Sequence, residues 1–362
     1  MSRSVFITAT SYPRVILAAT MVESIRMLAR QYFQLVDPPQ LAIPPNNILI
    51  QPTVQEALYE HMFNESLTPL PPAPYRARVL KLLLSRIEEA ITDPEEDEIH
   101  DTLMETWASL LTTPKPPALQ QAQQLSKIKY TAPSPGSERT VITSESRGVI
   151  LSGGTTGNRT WEAALHLGSF LSTPPGAELV RGKRIIELGA GTGFLSLFCA
   201  RHLDVKNVVC TDREMFLVEN MRECVRLNNL EVEGGGNLMV PTIWDWGTPL
   251  DLDKTELSDD SSGEGEMEFD IALGADLIYD ADIIPLLLST VRDLFENYAV
   301  KEFVIAATLR NERTFQTFLD GCETNSFNVE TLTFESTPSE EQTGFFHSTS
   351  IPIHTYRITQ RI

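Results

Sequence analysis

A glycine-rich turn is the first segment of this sequence whose residue types and spacing could do chemistry. In "RIIELGAGTGFLSLFCA", residues 184–200, Gly189, Gly191 and Gly193 stand between a strand-like and a helix-like apolar run, with Glu187 just ahead of them. Glycines in such a turn let the backbone approach a ligand, and the N-terminus of the following helix points at that ligand. The segment therefore predicts a site for a nucleotide-like ligand.

The spacing of the glycines separates two ligands of this kind. The dinucleotide fingerprint is GxGxxG, whereas here an acid precedes GxGxG. A carboxylate suits a pyrophosphate poorly and suits the ammonium group of a methionine moiety well. We therefore predict S-adenosylmethionine as the cofactor, bound by Glu187, Gly189, Gly191 and Gly193, although three glycines in a purely structural turn are the alternative for this motif alone.

Further candidates follow the next two predicted strands. Asp212 ends "NVVCTD" and could accept hydrogen bonds from both ribose hydroxyls, or it could cap the helix that follows. The next strand ends in "IWDWG", where Asp245 could accept from the adenine amino group while Trp246 covers the ring face. Two tryptophans so close together are otherwise typical of a core. We predict a cofactor pocket formed by these strand ends.

The fourth strand pattern, "FDIALGADLIYD", ends with an acid and a phenol, Asp276 and Tyr279. They stand where a methyl acceptor is expected, and we predict that both are catalytic, although Asp276 could instead cap the next helix. The histidines have no metal-ligand spacing, so a metal is not predicted. The four cysteines show no CxxC pairing and are interpreted as buried thiols.

The elements that must position these residues alternate in type from residue 184 onwards. Strand patterns alternate with helix patterns as far as residue 321, which predicts an α/β fold with a doubly wound, mostly parallel sheet. Two final strand patterns, 327–334 and 345–358, have no helix between them, so the sheet is expected to end in an antiparallel hairpin. The strand patterns of the sheet core are 184–188, 207–211, 238–244, 269–275 and 302–308.

The first third of the chain has a different character. Helix patterns separated by proline clusters predict an N-terminal helical domain, 1–135, ahead of a catalytic domain, 136–362, with "YTAPSPGSER" as the linker. Within the catalytic domain, the acidic Ser/Gly-rich segment 251–268 is interpreted as a disordered insertion, or alternatively as a docking loop. The arginine-rich first 36 residues resemble a transit peptide, but they also fit an amphipathic helix of a folded domain.

Composition limits the partners. The chain has 362 residues with 49 acidic and 29 basic side chains, a formal net charge of -20. Nucleic-acid binding usually depends on clustered Lys and Arg, so no direct contact with nucleic acid is predicted. No apolar run reaches the roughly 18 to 20 residues of a membrane helix, so no membrane association is predicted.

The motifs together carry a family resemblance. "WEAALHL", "IIELGAGTGFLSL", "WDWG" and "LGADLIYD" resemble the seven-strand, Rossmann-like lysine methyltransferases with a DxxY motif; "ITSESRGVILSGGTTGNRTWEAAL" and "AATLRNERTFQTF" resemble their elongation factor 2 branch. The resemblance implies that Asp276 and Tyr279 face the acceptor lysine. It also implies a cofactor pocket that includes Trp161, Gly189, Ala190, Gly191, Asp212, Trp246 and Ala275.

The resulting hypothesis is a cytoplasmic, monomeric enzyme that methylates a lysine of elongation factor 2. The helical domain is expected to recruit this substrate, or alternatively to cover apolar surface of the sheet. Two other functions stay open on the sequence: methylation of RNA or a small metabolite, and cofactor binding without turnover. The division of roles between Asp276 and Tyr279, the target lysine and the number of methyl groups are left undetermined.

Overall fold

The computed structural model divides into two compact units, Met1–Pro116 and Pro117–Ile362. It describes residues 12–114, 117, 124–133, 137–146, 156–231, 238–252 and 268–361, with backbone only for 12–21. Part of the predicted acidic insertion, 253–267, lies outside the described residues, as do residues 1–11 at the start of the chain.

The first unit is helical, as the sequence predicts. A short 3₁₀ turn, Pro38–Gln40, and a π-helical turn, Tyr59–Phe63, accompany its helices. Prolines lie in the first turn of three of its helical segments, where the missing N–H costs nothing because the first turn has no intrahelical partner for it. The α-helices are α1 Tyr12–Phe33, α2 Asn46–Leu49, α3 Pro52–Leu58, α4 Ala73–Ala90 and α5 Asp101–Thr112.

The helices of this unit share one apolar core, in which Leu28, Tyr32 and Leu83 have no exposed side-chain surface. One buried amide connects the helices to a loop: Gln55 Nε2 donates to the carbonyl of Glu98 at 3.0 Å. Gln55 Oε1 accepts from the amide of His100 at 2.8 Å. These two bonds fix the segment that leads into α5, because they satisfy backbone groups of Glu98 and His100 just ahead of its first residue, Asp101.

The second unit is built on a seven-stranded sheet with the order β5-β4-β3-β6-β7-β9-β8. Strands β3 to β7 are parallel, and β9 pairs antiparallel with both β7 and β8. A separate hairpin, β1 with β2, precedes the sheet in the chain. The strands are β1 Ser126–Thr131, β2 Thr140–Glu145, β3 Arg184–Leu188, β4 Asn207–Asp212, β5 Met239–Ile243, β6 Ile271–Ala275, β7 Glu302–Thr308, β8 Phe327–Leu332 and β9 Ile353–Gln360.

Helices connect β3 to β4, β4 to β5 and β6 to β7. The central strands are buried because helices cover a sheet of this type. All six residues of β4 are buried. A large apolar cluster on one side joins residues of β3, β6 and β7 to the helices that follow β6 and β7. The helices of this unit are α6 Glu162–Leu171, α7 Pro174–Val180, α8 Phe194–His202, α9 Met215–Leu227, α10 Ile284–Asn297 and α11 Glu312–Thr324.

The predicted α/β class, the mostly parallel sheet and its antiparallel end are confirmed. Strands β3 and β7 have the predicted bounds, 184–188 and 302–308. The predicted buried thiols are also found, since all four cysteines are free and buried.

The predicted linker is different in the structure. "YTAPSPGSER" contains the end of β1, a strand that the sequence analysis did not predict and that pairs with β2 from Ser126↔Glu145 to Thr131↔Thr140. The structure therefore divides the chain after Pro116, earlier than the expected boundary at 135. The reason is that β1 is short and polar, and it becomes a strand only through its partner.

The last strand pattern, 345–358, is wrong in its first half, because β9 begins at Ile353. Phe345 has a positive φ of 42° and its buried ring packs edge-on against Phe194 and Phe198. Its amide donates to the carbonyl of Thr131 at 2.9 Å. The apolar residues of this segment thus serve tertiary packing rather than a strand. In the described part of the chain, no helix is long and apolar enough to span a bilayer.

Candidate functional site

The glycine turn follows β3 and begins α8, with Gly193 as the residue that caps this helix. Gly189 and Gly191 have φ values of 57° and 54°, in the left-handed region that glycine tolerates best. A Cβ at Gly191 would lie 3.0 Å from the carbonyl oxygen of Gly157, and one at Gly189 would lie 2.7 Å from Leu277. The spacing seen in the sequence is therefore required by a turn into which two neighbouring segments pack.

Glu187, in β3, has only 3% of its surface exposed. Its Oε2 accepts a hydrogen bond from the amide of Ser196 at 3.0 Å and a second one from the Ser196 hydroxyl. Burial raises the pKa of the Glu187 carboxyl to about 7, although the bonds from Ser196 act in the opposite direction. Glu187 thus satisfies an amide in the first turn of α8, a role that the sequence analysis missed.

Asp212, the last residue of β4, connects two turns through its side chain. Its Oδ2 accepts from the amide of Gly191 at 3.0 Å, and its Oδ1 accepts from the amide of Glu214 at 3.2 Å. Burial raises the pKa of Asp212. The residue that caps α9 is Glu214, so the alternative of Asp212 as a simple helix cap does not describe the structure. Each carboxylate oxygen keeps a second lone pair for a ligand.

The two tryptophans after β5 have different surroundings. Trp244 is in the core, with its Nε1 donating to the carbonyl of Thr248 at 2.9 Å. Trp246 is half-buried, and its ring would lie 3.5 Å from a Cβ on Gly189, so it lies next to the glycine turn. Asp245 is exposed, and its carbonyl accepts two bonds from Thr248, which close the turn. Trp246 thus borders the predicted pocket, whereas Trp244 does not.

Asp276 follows β6 with a positive φ of 53°, an uncommon backbone conformation for a residue other than glycine. Its Oδ1 accepts from the amide of Thr308 at 2.9 Å and lies 3.3 Å from Nη1 of Arg310. Its Oδ2 accepts from the Thr308 hydroxyl at 3.1 Å and from the amide of Ala163 at 3.4 Å. Asp276 therefore contacts the first turn of α6 and not α10, the helix that follows it in the chain.

Tyr279 is three residues further along and is 59% exposed. Partial burial and the carboxylates of Asp212 and Asp280 raise the pKa of its phenol. The phenol is therefore neutral at physiological pH, and it is close enough to Asp212 to feel that charge. Tyr279 thus extends from the end of β6 towards the end of β4.

Trp161 lies at the start of α6, and its Nε1 donates to the carbonyl of Thr156 at 3.0 Å. Two guanidinium groups stand over its ring, Arg159 at 5.3 Å and Arg310 at 5.2 Å from the ring centroid. Arg310 also pairs with Glu162 at 2.7 Å. Through Arg310, the ring of Trp161 is brought next to the carboxylate of Asp276.

The predicted residues thus form two groups. Glu187, Asp212, Trp246 and the glycine turn lie together at the ends of β3, β4 and β5, and Trp161 and Asp276 lie together near Arg310. Ala190 is buried within the turn and donates from its amide to the carbonyl of Thr211 at 2.8 Å. Ala275 is the last residue of β6, next to Asp276. In the part of the chain that the structure describes, the side chain of Asp245 has no hydrogen bond to another predicted site residue.

This arrangement fits S-adenosylmethionine. Two buried carboxylates, Glu187 and Asp212, flank a turn that leaves no room for side chains, which suits a ligand with one cationic and one hydroxyl-bearing part. Glu187 would hold the ammonium group, Asp212 the ribose hydroxyls, and Trp246 would lie beside the adenine ring. In the part of the chain that the structure describes, no cluster of His, Cys, Asp and Glu could hold a metal ion.

Sequence reasoning missed Ser196 and Arg310. Arg310 comes two residues after the carboxyl end of β7, the same edge of the sheet that holds the other candidates, and this position is the signal that could have found it. The sequence contains no comparable signal for Ser196, because a serine in an apolar helix has no distinguishing neighbour in the sequence.

Comparison with known proteins is consistent with this site. Residues 151–325 match a family model described as lysine methyltransferase. The chain is 39% identical over 328 residues to protein-lysine N-methyltransferase EFM3 of Chaetomium thermophilum, a match that covers 90% of this chain and 94% of that protein. It is 28% identical to EFM3 of Saccharomyces cerevisiae, covering 79% and 85%. It is also 28% identical to protein-lysine N-methyltransferase EEF2KMT of Homo sapiens, covering 76% of each chain.

Proposed function

We propose elongation factor 2 as the substrate of this chain, which belongs to the lysine methyltransferase family and transfers methyl groups from S-adenosylmethionine to a lysine of a protein. The name of the Homo sapiens relative, EEF2KMT, and the motifs that resemble the elongation factor 2 branch support this choice of substrate. The proposed enzyme works in the cytoplasm, as a monomer, and without direct contact with nucleic acid.

The observation that carries the proposal is the open acceptor side of the sheet. Small-molecule sites usually enclose about 70 to 90% of their ligand. Here large apolar side chains near the carboxyl ends of β4, β5 and β6 are exposed, which favours a side chain presented by a large partner. These residues are Met215, Phe216, Ile243, Tyr279 and Leu286.

The charge of the chain supports a protein rather than an RNA as the acceptor. The formal net charge is -20, which repels a polyphosphate backbone and attracts a basic protein segment around a lysine. Asp245 and Asp280 are exposed at the same edge as the apolar side chains. We infer that the acceptor lysine enters between these acids.

The role of the residues at this site is to orient the acceptor lysine for methyl transfer. The cofactor, when bound, supplies an electrophilic methyl group, and the acceptor lysine, with a pKa near ~10.4, must lose a proton before it attacks. Tyr279 keeps its proton at neutral pH because its pKa is raised, so it orients the amine by hydrogen bonding and is not the base. Asp276 holds the ammonium group by charge until water takes the proton.

We propose that the helical unit recruits the substrate through α5. Met104 and Leu111 are 45% and 61% exposed, and they share one face of this helix because they are two turns apart. Replacing both by lysine in the full chain should raise KM for intact elongation factor 2 and leave S-adenosylhomocysteine affinity unchanged. Val329→Lys, on the exposed face of β8, is the matched control. Loss of solubility instead would support the alternative in which the unit covers apolar surface.

The substrate is tested with tritiated S-adenosylmethionine and three acceptors: elongation factor 2, another translation factor and total RNA. Labelling of elongation factor 2 alone, on a lysine found by mass spectrometry, is expected. The Asp276→Asn variant serves as the inactive control. Labelling of RNA, or equal labelling of both proteins, would refute the proposed substrate while leaving cofactor binding intact.

A further inference from the structure

A buried carboxylate outside the predicted site connects the β1–β2 hairpin to the glycine turn. Glu145 is the last residue of β2, and its side chain has no exposed surface. Its Oε1 accepts from the hydroxyls of Tyr130 at 2.8 Å and Thr143 at 2.7 Å. Burying a charge is unfavourable unless it is hydrogen-bonded, so these donors make the position possible.

The same carboxylate holds the segment 156–161 that leads to Trp161. Glu145 Oε1 accepts from the Thr160 hydroxyl at 2.7 Å, and Glu145 Oε2 accepts from the Thr160 amide at 3.1 Å. A second connection runs beside it, from the amide of Ser146 to the carbonyl of Asn158 at 3.0 Å. Thr160 is thus fixed through both its backbone and its side chain.

From Thr160 the connection continues into the glycine turn. Its hydroxyl lies 2.7 Å from the hydroxyl of Thr192, the residue between Gly191 and Gly193. The carboxylate can only accept, so Thr160 donates to Glu145 and accepts from Thr192. The carbonyl of Gly157 packs against Gly191, as described above. Segment 156–161 therefore lies directly on the glycine turn.

We propose that Glu145 is a positioning residue for the cofactor: it holds segment 156–161 on the glycine turn and so keeps Trp161 and the turn in their binding geometry. Glu145 acts through Thr160 and Thr192 and does not touch the cofactor. The inference rests on the cofactor pocket described above and not on the identity of the protein substrate. A pocket arranged before the ligand arrives binds it more tightly, because less order must be created on binding.

Calorimetry with S-adenosylhomocysteine tests this proposal in the full chain. Glu145→Gln keeps the shape of the side chain but places an amide N–H₂ among hydroxyl donors, and it should weaken binding about tenfold. Thr160→Val should weaken binding to the same extent. Thr160→Ser, which keeps the hydroxyl, should have the affinity of the wild-type protein. The double variant Glu145→Gln/Thr160→Val should bind no more weakly than either single variant.

A control variant at the other end of the sheet distinguishes a general loss of stability from a specific loss of cofactor affinity. Phe318→Leu, in the buried face of α11, should lower Tm without changing the affinity for S-adenosylhomocysteine. If Glu145→Gln lowers Tm and leaves affinity unchanged, the proposal is overturned. If Glu145→Gln does not fold, the pair Thr160→Val and Thr160→Ser decides, and equal affinity of the two overturns the proposal. Failure to methylate elongation factor 2 would not alter these affinities.

Discussion

The proposed cofactor side and the proposed acceptor side of the same sheet edge are built differently. Glu187 and Asp212 are 3% and 9% exposed, and both accept hydrogen bonds from backbone amides of the folded chain. Tyr279, on the acceptor side, is 59% exposed. We expect from this difference that folding alone arranges the cofactor side and the buried carboxylate of Asp276. The surface around Tyr279 is then completed by the protein substrate, whose approach expels water from around the reacting amine.

Asp276 is the residue whose loss should separate the two sides most strongly. Asp276→Asn should lower kcat about 10²- to 10⁴-fold, the range for a group that handles a proton or orients a reacting amine. S-adenosylhomocysteine affinity should stay within a few-fold, because Asp276 contacts Thr308, Arg310 and α6 rather than the glycine turn. Single-turnover kinetics and calorimetry measure the two quantities.

Arg310→Gln is the comparison for that variant: it keeps the carboxylate of Asp276 and removes the cation that pairs with it, together with the contacts of that cation to Glu162 and Trp161. If Asp276→Asn loses cofactor affinity as much as activity, the assignment to the acceptor side is wrong and the residue maintains the fold of the whole edge.

Gly191→Ala should affect the cofactor side instead. The added Cβ would lie 3.0 Å from the carbonyl oxygen of Gly157, and the φ of 54° is strained for alanine. We expect S-adenosylhomocysteine affinity to fall about a hundredfold. Gly182→Ala is a matched control, because Gly182 has a φ of 64° with nothing within 4 Å of the added atom. The strain costs about 1 to 2 kcal/mol in either variant, so equal affinity losses in both would contradict a role for the close packing at Gly191.

The pH dependence of cofactor binding tests the charge of Glu187. Because burial raises its pKa to about 7, the ligand-free protein holds a proton there below that pH. An ammonium group favours the ionised carboxylate, so S-adenosylhomocysteine affinity should rise as pH increases through about 7, by up to about tenfold per pH unit on the acid side. Glu187→Gln should flatten this part of the profile.

The stability of the ligand-free chain should show the opposite trend. A carboxyl whose folded pKa is raised contributes stability below its unfolded pKa and loses it as pH rises through the folded value. The Glu187 contribution should therefore decline from about pH 4.5 to about pH 7. Denaturant titrations of the wild-type protein and of Glu187→Gln at several pH values measure the free energy of unfolding. Identical pH profiles would show that the buried carboxyl does not cause the decline.

Tyr279→Phe should have the smallest effect. It removes one hydroxyl at an exposed position, so kcat/KM on the protein substrate should fall about three- to tenfold, the value of one neutral hydrogen bond. Tm and S-adenosylhomocysteine affinity should not change. Phe216→Tyr, which adds a hydroxyl to another exposed ring, is the control. A loss of cofactor affinity would contradict the assignment of Tyr279 to the acceptor side.

The order of the elements in the seven-stranded sheet and the position of the glycine turn could be predicted from the sequence alone, whereas the hairpin strand β1 could not. These depend on local periodicity and on residues within one turn, and they predict β3 and β7 to the residue. The acids at strand ends were also found from sequence, since parallel strands place their carboxyl ends at one edge whatever the packing.

The partners of those acids follow from the three-dimensional packing and not from any local pattern. Asp276 meets Thr308 and the first turn of α6, and Glu145 meets Thr160 and Tyr130, all from segments that no local pattern connects. The same holds for Phe345, which lies in a strand-like pattern but packs on Phe194. Side-chain partners depend on how segments far apart in the chain are packed, and one sequence carries no local signal for that packing.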